Sequence, residues 1–175
     1  LSMYTLCAPH DVPMTQIVVL GDSGIGKTAF MITATGQRMP HNVFRSRQVE
    51  TFHMCRAAFI IVPGAADPVT LGKACEGADG LIVLCKQAGS SRARAWLHKV
   101  ESMSSSRLQV PVIVCAHGGR GEHRFREDDM RLLRRYPTAE YAFTCHAWPE
   151  GIKDCANRIV HRVRRTPTTP IHCDT

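Results

Sequence analysis

Short apolar runs alternate along the chain with segments whose apolar residues recur at helical spacing. Residues 17–20, 81–85 and 110–115 are runs without a charged position, which is typical of strands buried on both faces. Between the last two runs, one helical face collects Ala93, Trp96, Leu97 and Val100, within a helix predicted at residues 90–103. This alternation predicts an α/β fold, a three-layer arrangement in which helices flank a mostly parallel central sheet.

The same pattern locates the remaining elements and the domain limits. Further helices are predicted at residues 28–35, 66–76, 127–136 and 151–165, and further strands at residues 43–50, 56–62 and 141–144. We find no internal repeat and no shift in composition, so residues 16–165 are predicted to form one domain. Residues 1–15 contain Pro9 and Pro13 and are expected to be an irregular lead-in. Residues 166–175, with two prolines, are expected to be a flexible tail.

The most informative stretch joins the first apolar run to the first helix. Residues 21–28, Gly-Asp-Ser-Gly-Ile-Gly-Lys-Thr, fit the pattern G-x-x-x-x-G-K-[ST] of a phosphate-binding loop. Glycines without a Cβ let backbone N–H groups turn toward an anion at the positive end of the helix that follows. The lysine would reach the outer phosphates, and the threonine hydroxyl would ligate Mg²⁺. The predicted phosphate site consists of Gly21, Asp22, Ser23, Gly24, Ile25, Gly26, Lys27 and Thr28. Thr28 is also the predicted metal ligand.

Two alternatives to this interpretation stay open. The stretch could be a chance glycine-rich turn, or a loop that has kept its shape without holding a ligand.

Composition narrows the class of protein. A chain of 175 residues suits one domain, no apolar run is long enough to span a membrane, and the first residues lack the features of a secretion signal, so we expect an intracellular protein. The eight cysteines include no C-x-x-C pair, which favours buried thiols over a zinc site. The formal net charge is +7, and much of it lies in residues 120–135 and 158–165. Such a basic surface would favour binding to an acidic protein surface, nucleic acid or anionic lipid; the alternative is that these residues only form a solvated helix surface.

The order of elements and several phrases resemble a Ras-superfamily small GTPase, nearest in wording to the Rab branch. Residues 20–28 resemble the family's first motif, residues 77–84 its fourth strand, residues 96–97 its third helix, residues 110–111 its fifth strand, and residues 141–163 its sixth strand and last helix. The resemblance spans roughly residues 16–165. It implies the P-loop NTPase (Ras-like) fold, with GTP or GDP as the ligand, ATP as an alternative, and Mg²⁺ beside the phosphates.

The family's metal-side motif is absent. The motif D-x-x-G followed by Gln falls on residues 61–65, Ile-Val-Pro-Gly-Ala, which leaves no carboxylate for Mg²⁺ and no glutamine to position an attacking water. Asp67 is one candidate for a replacement acid. Ser46 and Thr51 are both candidates for the metal-binding hydroxyl of the first switch, and the sequence does not choose between them.

The family's base-reading motifs are absent too. The guanine-reading N-K-x-D motif falls on residues 117–120, where Arg120 offers only donors in place of a carboxylate acceptor. The S-A-K loop falls on residues 145–147. The residues expected on the base side are therefore His117, Arg120, Cys145 and His146.

These departures favour a pseudo-GTPase: a nucleotide-binding or nucleotide-free domain that acts through protein–protein interaction as a structural subunit of a larger assembly or transport complex. No catalytic residue is assigned, and hydrolysis is expected to be absent or very weak. The alternatives are an active GTPase completed by a partner, and a small P-loop phosphotransferase (kinase) in which Arg120, Arg124 and Arg126 grip the phosphate.

The family analogy also carries expectations about location and partners. It implies a cytoplasmic protein in a multisubunit assembly, associated with the cytoskeleton or a cilium. Cys173 lies third from the end and forms neither a C-a-a-X box nor a paired-cysteine terminus, so no lipid anchor is expected.

Overall fold

Strands and helices alternate along the chain, as the apolar pattern predicts. The computed structural model describes residues 14–38, 48–86, 91–105, 107–118, 127–166 and 169–173. The strands are β1 (Thr15–Gly21), β2 (Glu50–Met54), β3 (Ala57–Ile61), β4 (Gly80–Cys85), β5 (Val112–His117) and β6 (Ala139–Thr144). The helices are α1 (Lys27–Ala34), α2 (Pro68–Cys75), α3 (Ser91–Met103), α4 (Glu127–Arg135) and α5 (Pro149–Arg165).

The six strands form one sheet in the order β2-β3-β1-β4-β5-β6. All neighbouring pairs are parallel except β2 and β3, which are antiparallel. Strands β4 and β5 are buried along their whole length, in keeping with their apolar sequences. The predicted α/β fold with a mostly parallel sheet is therefore confirmed.

Helices cover both faces of the sheet. Alternate residues of β1 point to opposite sides, so Ile17 and Val19 pack with α1 and α5, whereas Val18 and Leu20 pack with α2, α3 and α4. Each face has its own apolar core, in which Phe30, Ile152 and Ile159 lie on the first side and Leu71, Leu97 and Leu132 on the second. The order of the strands reverses between β1 and β4, and in such sheets ligands bind beyond the carboxyl ends of the strands at that point.

The position of β2 differs from the prediction. A strand was predicted at residues 43–50, but β2 begins at Glu50, and residues 43–47 lie outside the described part. The two strands are joined by a turn at Cys55 and Arg56, whose φ angles of 51° and 58° are those that a tight hairpin turn uses. Neither residue type signals such a turn, which is why sequence patterning placed the first of the two strands too early along the chain. The second strand, predicted at residues 56–62, agrees with β3.

The other element boundaries agree with the predictions to within a few residues. Helix α2 starts two residues later than predicted because Asp67 caps it, accepting hydrogen bonds from the backbone N–H of Thr70 at 2.9 Å and from its hydroxyl at 2.7 Å. Proline at the first helical position is favourable because its missing N–H would have no partner there.

The chain after α5 packs back onto the domain. Ile171 is buried, and its backbone N–H donates to the carbonyl of Ala78 while its own carbonyl accepts from Gly77. The backbone at Cys173 forms an isolated antiparallel β-bridge with Ser104, the residue that follows α3. This part of the tail, which we expected to be flexible, thus contacts the edge of the sheet at which β4 begins; its mobility in solution stays a prediction.

Three arginines of α5 make contacts within the domain. Arg158 and Arg162 form ion pairs with Glu140 of β6 at 2.9 and 3.4 Å, Arg162 also donates to the carbonyls of Val112 and Thr138, and Arg164 donates to the carbonyl of Cys55. Much of the basic segment at residues 158–165 is therefore occupied in joining α5 to the sheet. Within the described ranges, no helix is long and apolar enough to cross a membrane.

Candidate functional site

The glycine-rich loop leaves the carboxyl end of β1 and enters α1 directly. Gly26 is the N-cap of α1 and has a φ of 97°, a left-handed conformation that favours glycine. No side chain caps this helix, and its first turn has no acidic residue. The backbone N–H groups at the start of α1 and the positive end of the helix dipole are thus not neutralised by a capping side chain, which is the condition under which a helix start binds an anion.

Lys27 is a buried cation in this loop. The residue is only 7% exposed, and its Nζ donates to the carbonyls of Gly21 at 2.7 Å and Asp22 at 3.0 Å. Burial lowers the pKa of Lys27 from 10.5 to about 8, and the nearby Asp22 opposes this shift. In the described part of the chain Lys27 forms no ion pair, so the ammonium has carbonyl partners but no counter-ion within bonding distance.

The carboxylate of Asp22 is directed toward α3. It accepts a hydrogen bond from Nε1 of Trp96 at 3.1 Å and lies 3.6 Å from Nε of Arg92. A cavity of about 430 Å³ opens beside these groups, between the loop and the end of β4, and is lined by Asp22, Ser23, Ile25, Leu84, Cys85, Lys86 and Arg92. This cavity lies at the point where the strand order reverses.

The loop after β3 contacts the glycine-rich loop. A Cβ built on Gly64 would lie 2.1 Å from the backbone nitrogen of Ser23, so only glycine permits this approach. Ser23 and Gly24 remain exposed, and Ile25 is buried beneath them. The predicted phosphate-site residues 21–28 therefore run from the end of β1 into the first turn of α1, and Ser23 among them lies next to Gly64.

On the expected metal side, Thr28 has an unexpected partner. Its Oγ1 donates to Oε2 of Glu50 at 2.8 Å. Asp67, the candidate replacement acid, is engaged as the N-cap of α2, and its hydrogen bonds to Thr70 lower its pKa. Thr51 is exposed on β2 and Ser46 lies outside the described residues. Among the described residues no group of three or more His, Cys, Asp or Glu side chains could by itself hold a metal ion.

Sequence reasoning missed Glu50. The signal was its position opposite Ile61, which becomes visible once the hairpin turn is placed at Cys55 and Arg56.

On the expected base side, two histidines meet next to Gly26. His117 ends β5, and its Nδ1 lies 2.8 Å from Oγ1 of Thr144 while its Nε2 lies 3.0 Å from Nε2 of His146. The ring of His117 also packs edge-on against Phe30 of α1, with 5.6 Å between centroids. Burial, followed by the proximity of His146, lowers the pKa of His117 to about 4, so this imidazole is neutral at physiological pH.

Of the other two base-side candidates, the structure describes only Cys145. Cys145 is half-buried in the turn after β6, and its carbonyl accepts from the N–H of Trp148. Arg120, like Arg124 and Arg126, lies outside the described residues. The structure therefore brings His117 and His146 together next to Gly26 of the glycine-rich loop.

No protein-family model matches this chain, and no curated protein matches it at a significant level. We therefore infer the function of the domain from the contacts of residues 21–28, Glu50, His117 and His146.

Proposed function

We propose that this chain is a pseudo-GTPase of the small-GTPase type, which binds the phosphates of a nucleotide at residues 21–28 and acts as an interaction or structural subunit. The observation that carries the proposal is Lys27, a buried ammonium without an ion-pair partner in the described residues, at the start of a helix without a capping side chain. A buried charge is costly unless it is paired, and a phosphate would supply the missing counter-charge.

The backbone around Lys27 is suited to the same ligand. The left-handed Gly26 turns the chain into α1, and the loop residues Ser23 and Gly24 are exposed rather than covered by the core. A phosphate placed there would receive backbone N–H donors together with the ammonium. Thr28 and Glu50 would supply oxygen atoms on the side where Mg²⁺ accompanies phosphates in P-loop proteins.

The residues at the end of β3 and directly after it argue against efficient hydrolysis. Ile61 and Val62 are buried apolar side chains, Pro63 follows, and Ala65 stands where the family has its glutamine. None of these can orient or activate an attacking water. The same residues disfavour the phosphotransferase alternative, which needs a group at this strand end to grip the acceptor.

The base side supports weak discrimination between nucleotides. The family reads guanine with a carboxylate that accepts two N–H bonds, and Arg120 cannot accept. His117 is committed to Thr144 and His146, so its ring nitrogens are already in hydrogen-bond contact. We therefore expect GDP and ADP to bind with similar affinity.

Extraction of the purified protein, followed by chromatography of any retained nucleotide, tests this function. Retained guanine or adenine nucleotide supports it, and so does thermal stabilisation by added GDP or ADP. A protein that retains nothing and is not stabilised by either nucleotide would refute nucleotide binding. Rapid Mg²⁺-dependent release of phosphate from GTP by the isolated chain would instead favour an active GTPase.

A further inference from the structure

A single carboxylate reaches the phosphate loop from a neighbouring strand. Glu50 is the first residue of β2, and its Oε2 accepts the hydroxyl hydrogen of Thr28, the second residue of α1, at 2.8 Å. Both side chains are partly buried. The two residues are 22 positions apart, so the fold and not the local sequence brings them together.

The strand register explains why Glu50 arrives at this place. In the β2–β3 hairpin Glu50 lies directly opposite Ile61. Directly opposed residues of an antiparallel pair project from the same face of the sheet, with Cβ atoms about 5 Å apart. Ile61 packs on the face that carries α1, which is also the face on which Thr28 lies. The carboxylate of Glu50 therefore occupies the neighbourhood of the acid that Ile61 lacks, but it is carried by the adjacent strand.

We propose that Glu50 and Thr28 form the protein side of a magnesium site that accompanies the bound nucleotide, with Glu50 replacing the acid missing from residue 61. This inference rests on the proposed nucleotide binding. Because the threonine hydrogen is directed to the carboxylate, the lone pairs of the hydroxyl oxygen are left for a cation. Mg²⁺ commonly takes only one or two protein oxygens and completes its shell with phosphate and water, so a larger cluster of acids is not needed.

The charge of Glu50 makes the proposal testable by its sign. A carboxylate beside a phosphate loop repels the phosphates when no cation lies between them, and it attracts Mg²⁺ when one is present. Glu50→Gln removes that charge with little change of shape. In excess EDTA the Glu50→Gln variant should therefore bind nucleotide as tightly as the wild type, or more tightly. In excess MgCl₂ it should bind about 10–100-fold more weakly, the range found when a carboxylate that supports a metal is removed.

The experiment is calorimetric titration of GDP and of ADP into the purified chain, in excess EDTA and in excess MgCl₂. The matched control is Asp67→Asn, which neutralises the other candidate acid and leaves an amide able to cap α2. Glu50→Asp keeps the charge on a shorter side chain and should retain part of the magnesium effect. Electron paramagnetic resonance of Mn²⁺ supplies a second readout, a bound-metal spectrum that needs nucleotide and is lost in Glu50→Gln.

Each outcome has one meaning. Wild-type binding in EDTA that MgCl₂ does not strengthen overturns the metal site and leaves the proposed nucleotide binding intact. A full magnesium effect in Glu50→Gln overturns the role of Glu50. If Asp67→Asn loses the effect while Glu50→Gln keeps it, Asp67 is the replacement acid. Absence of binding in both buffers overturns the proposed function, and this inference with it. Equal melting temperatures of the variants without nucleotide would exclude misfolding as the cause of a lost magnesium effect.

Discussion

Replacement of Lys27 by methionine separates a structural role of this side chain from a phosphate-binding role. Methionine has a similar length and no charge, so it fits the buried path without an ammonium to desolvate. Burial lowers the pKa of Lys27 from 10.5 to about 8, and the difference corresponds to about 3 kcal/mol of unfavourable free energy in the charged form. Because the ammonium is not completely removed from solvent, this is an upper limit.

The same substitution removes two hydrogen bonds. They run from Nζ of Lys27 to the carbonyls of Gly21 and Asp22, and their loss costs about 2 kcal/mol together. The gain and the loss nearly cancel, so Lys27→Met should change the free energy of unfolding by no more than about 1 kcal/mol when no phosphate is present.

With nucleotide present the two proteins should differ strongly. Ligand at 100 times its Kd stabilises the wild type by about 2.7 kcal/mol, which raises the Tm of a domain this size by about 5–10 °C. Lys27→Met should lose most of that rise. The assay is thermal unfolding with and without GDP or ADP, and Lys73→Met on the exposed side of α2 is the matched control.

A pH titration adds an independent check on Lys27. The native state releases its proton near pH 8 and the unfolded state near 10.5, so over this range the unfolded state binds more protons. The contribution of Lys27 to stability therefore rises as the pH increases from about 8 to 10.5. Over this range the free energy of unfolding of the wild type should increase relative to that of Lys27→Met. A loss of more than about 3 kcal/mol in nucleotide-free Lys27→Met would refute the reasoning, because a lysine that stabilises the empty loop is structural. An undiminished nucleotide-induced rise in Tm would refute it equally.

Three further predictions concern other parts of the molecule. Because the pKa of His117 is lowered to about 4, its contribution to stability is complete above about pH 6.5 and is lost as the pH falls toward 4. Urea unfolding of the wild type should therefore show the free energy of unfolding declining by about 1–3 kcal/mol over this range, and His117→Asn should lack that decline. An identical decline in the variant would assign it to other groups. Ile171→Ala should lower the free energy of unfolding by about 2 kcal/mol, against less than 0.5 for the exposed Val69→Ala, and equal effects would mean that the tail is not docked in solution. The double change Cys55→Asn and Arg56→Gly should raise the free energy of unfolding by about 1 kcal/mol in denaturant titrations, because both positions have positive φ; a loss would show that the side-chain contacts of the turn outweigh its backbone strain.

The sequence was informative where local pattern and fold agree. Buried runs such as residues 81–85 are typical of central strands of a sheet covered on both faces, and the glycine-rich loop follows another such run, residues 17–20. The hairpin turn at Cys55 and Arg56 could not be predicted, because positive φ at non-glycine residues is imposed by the strands on either side.

Because this turn was missed, Glu50 of β2 was not recognised as part of the candidate site. With β2 placed too early, Glu50 had no assigned partner, and its hydrogen bond to Thr28 depends on the register of two strands and the position of a helix. The pair of His117 and His146 was easier to anticipate, since His117 ends β5 and His146 comes shortly after β6, the neighbouring parallel strand, and such ends meet at one edge of the sheet. What the pairing does to the pKa of His117 depends on burial that no local pattern records.

The docked segment around Ile171 has a practical consequence. Its backbone partners, Gly77 and Ala78, lie just before β4 begins. The glycine-rich loop follows the carboxyl end of β1, the parallel neighbour of β4, and therefore lies at the opposite edge of the sheet. A strand of six residues puts roughly 20 Å between these two edges. A tether attached near this segment would hold the molecule on a sensor surface with its glycine-rich loop directed toward the solution, free to meet nucleotides or candidate binding proteins.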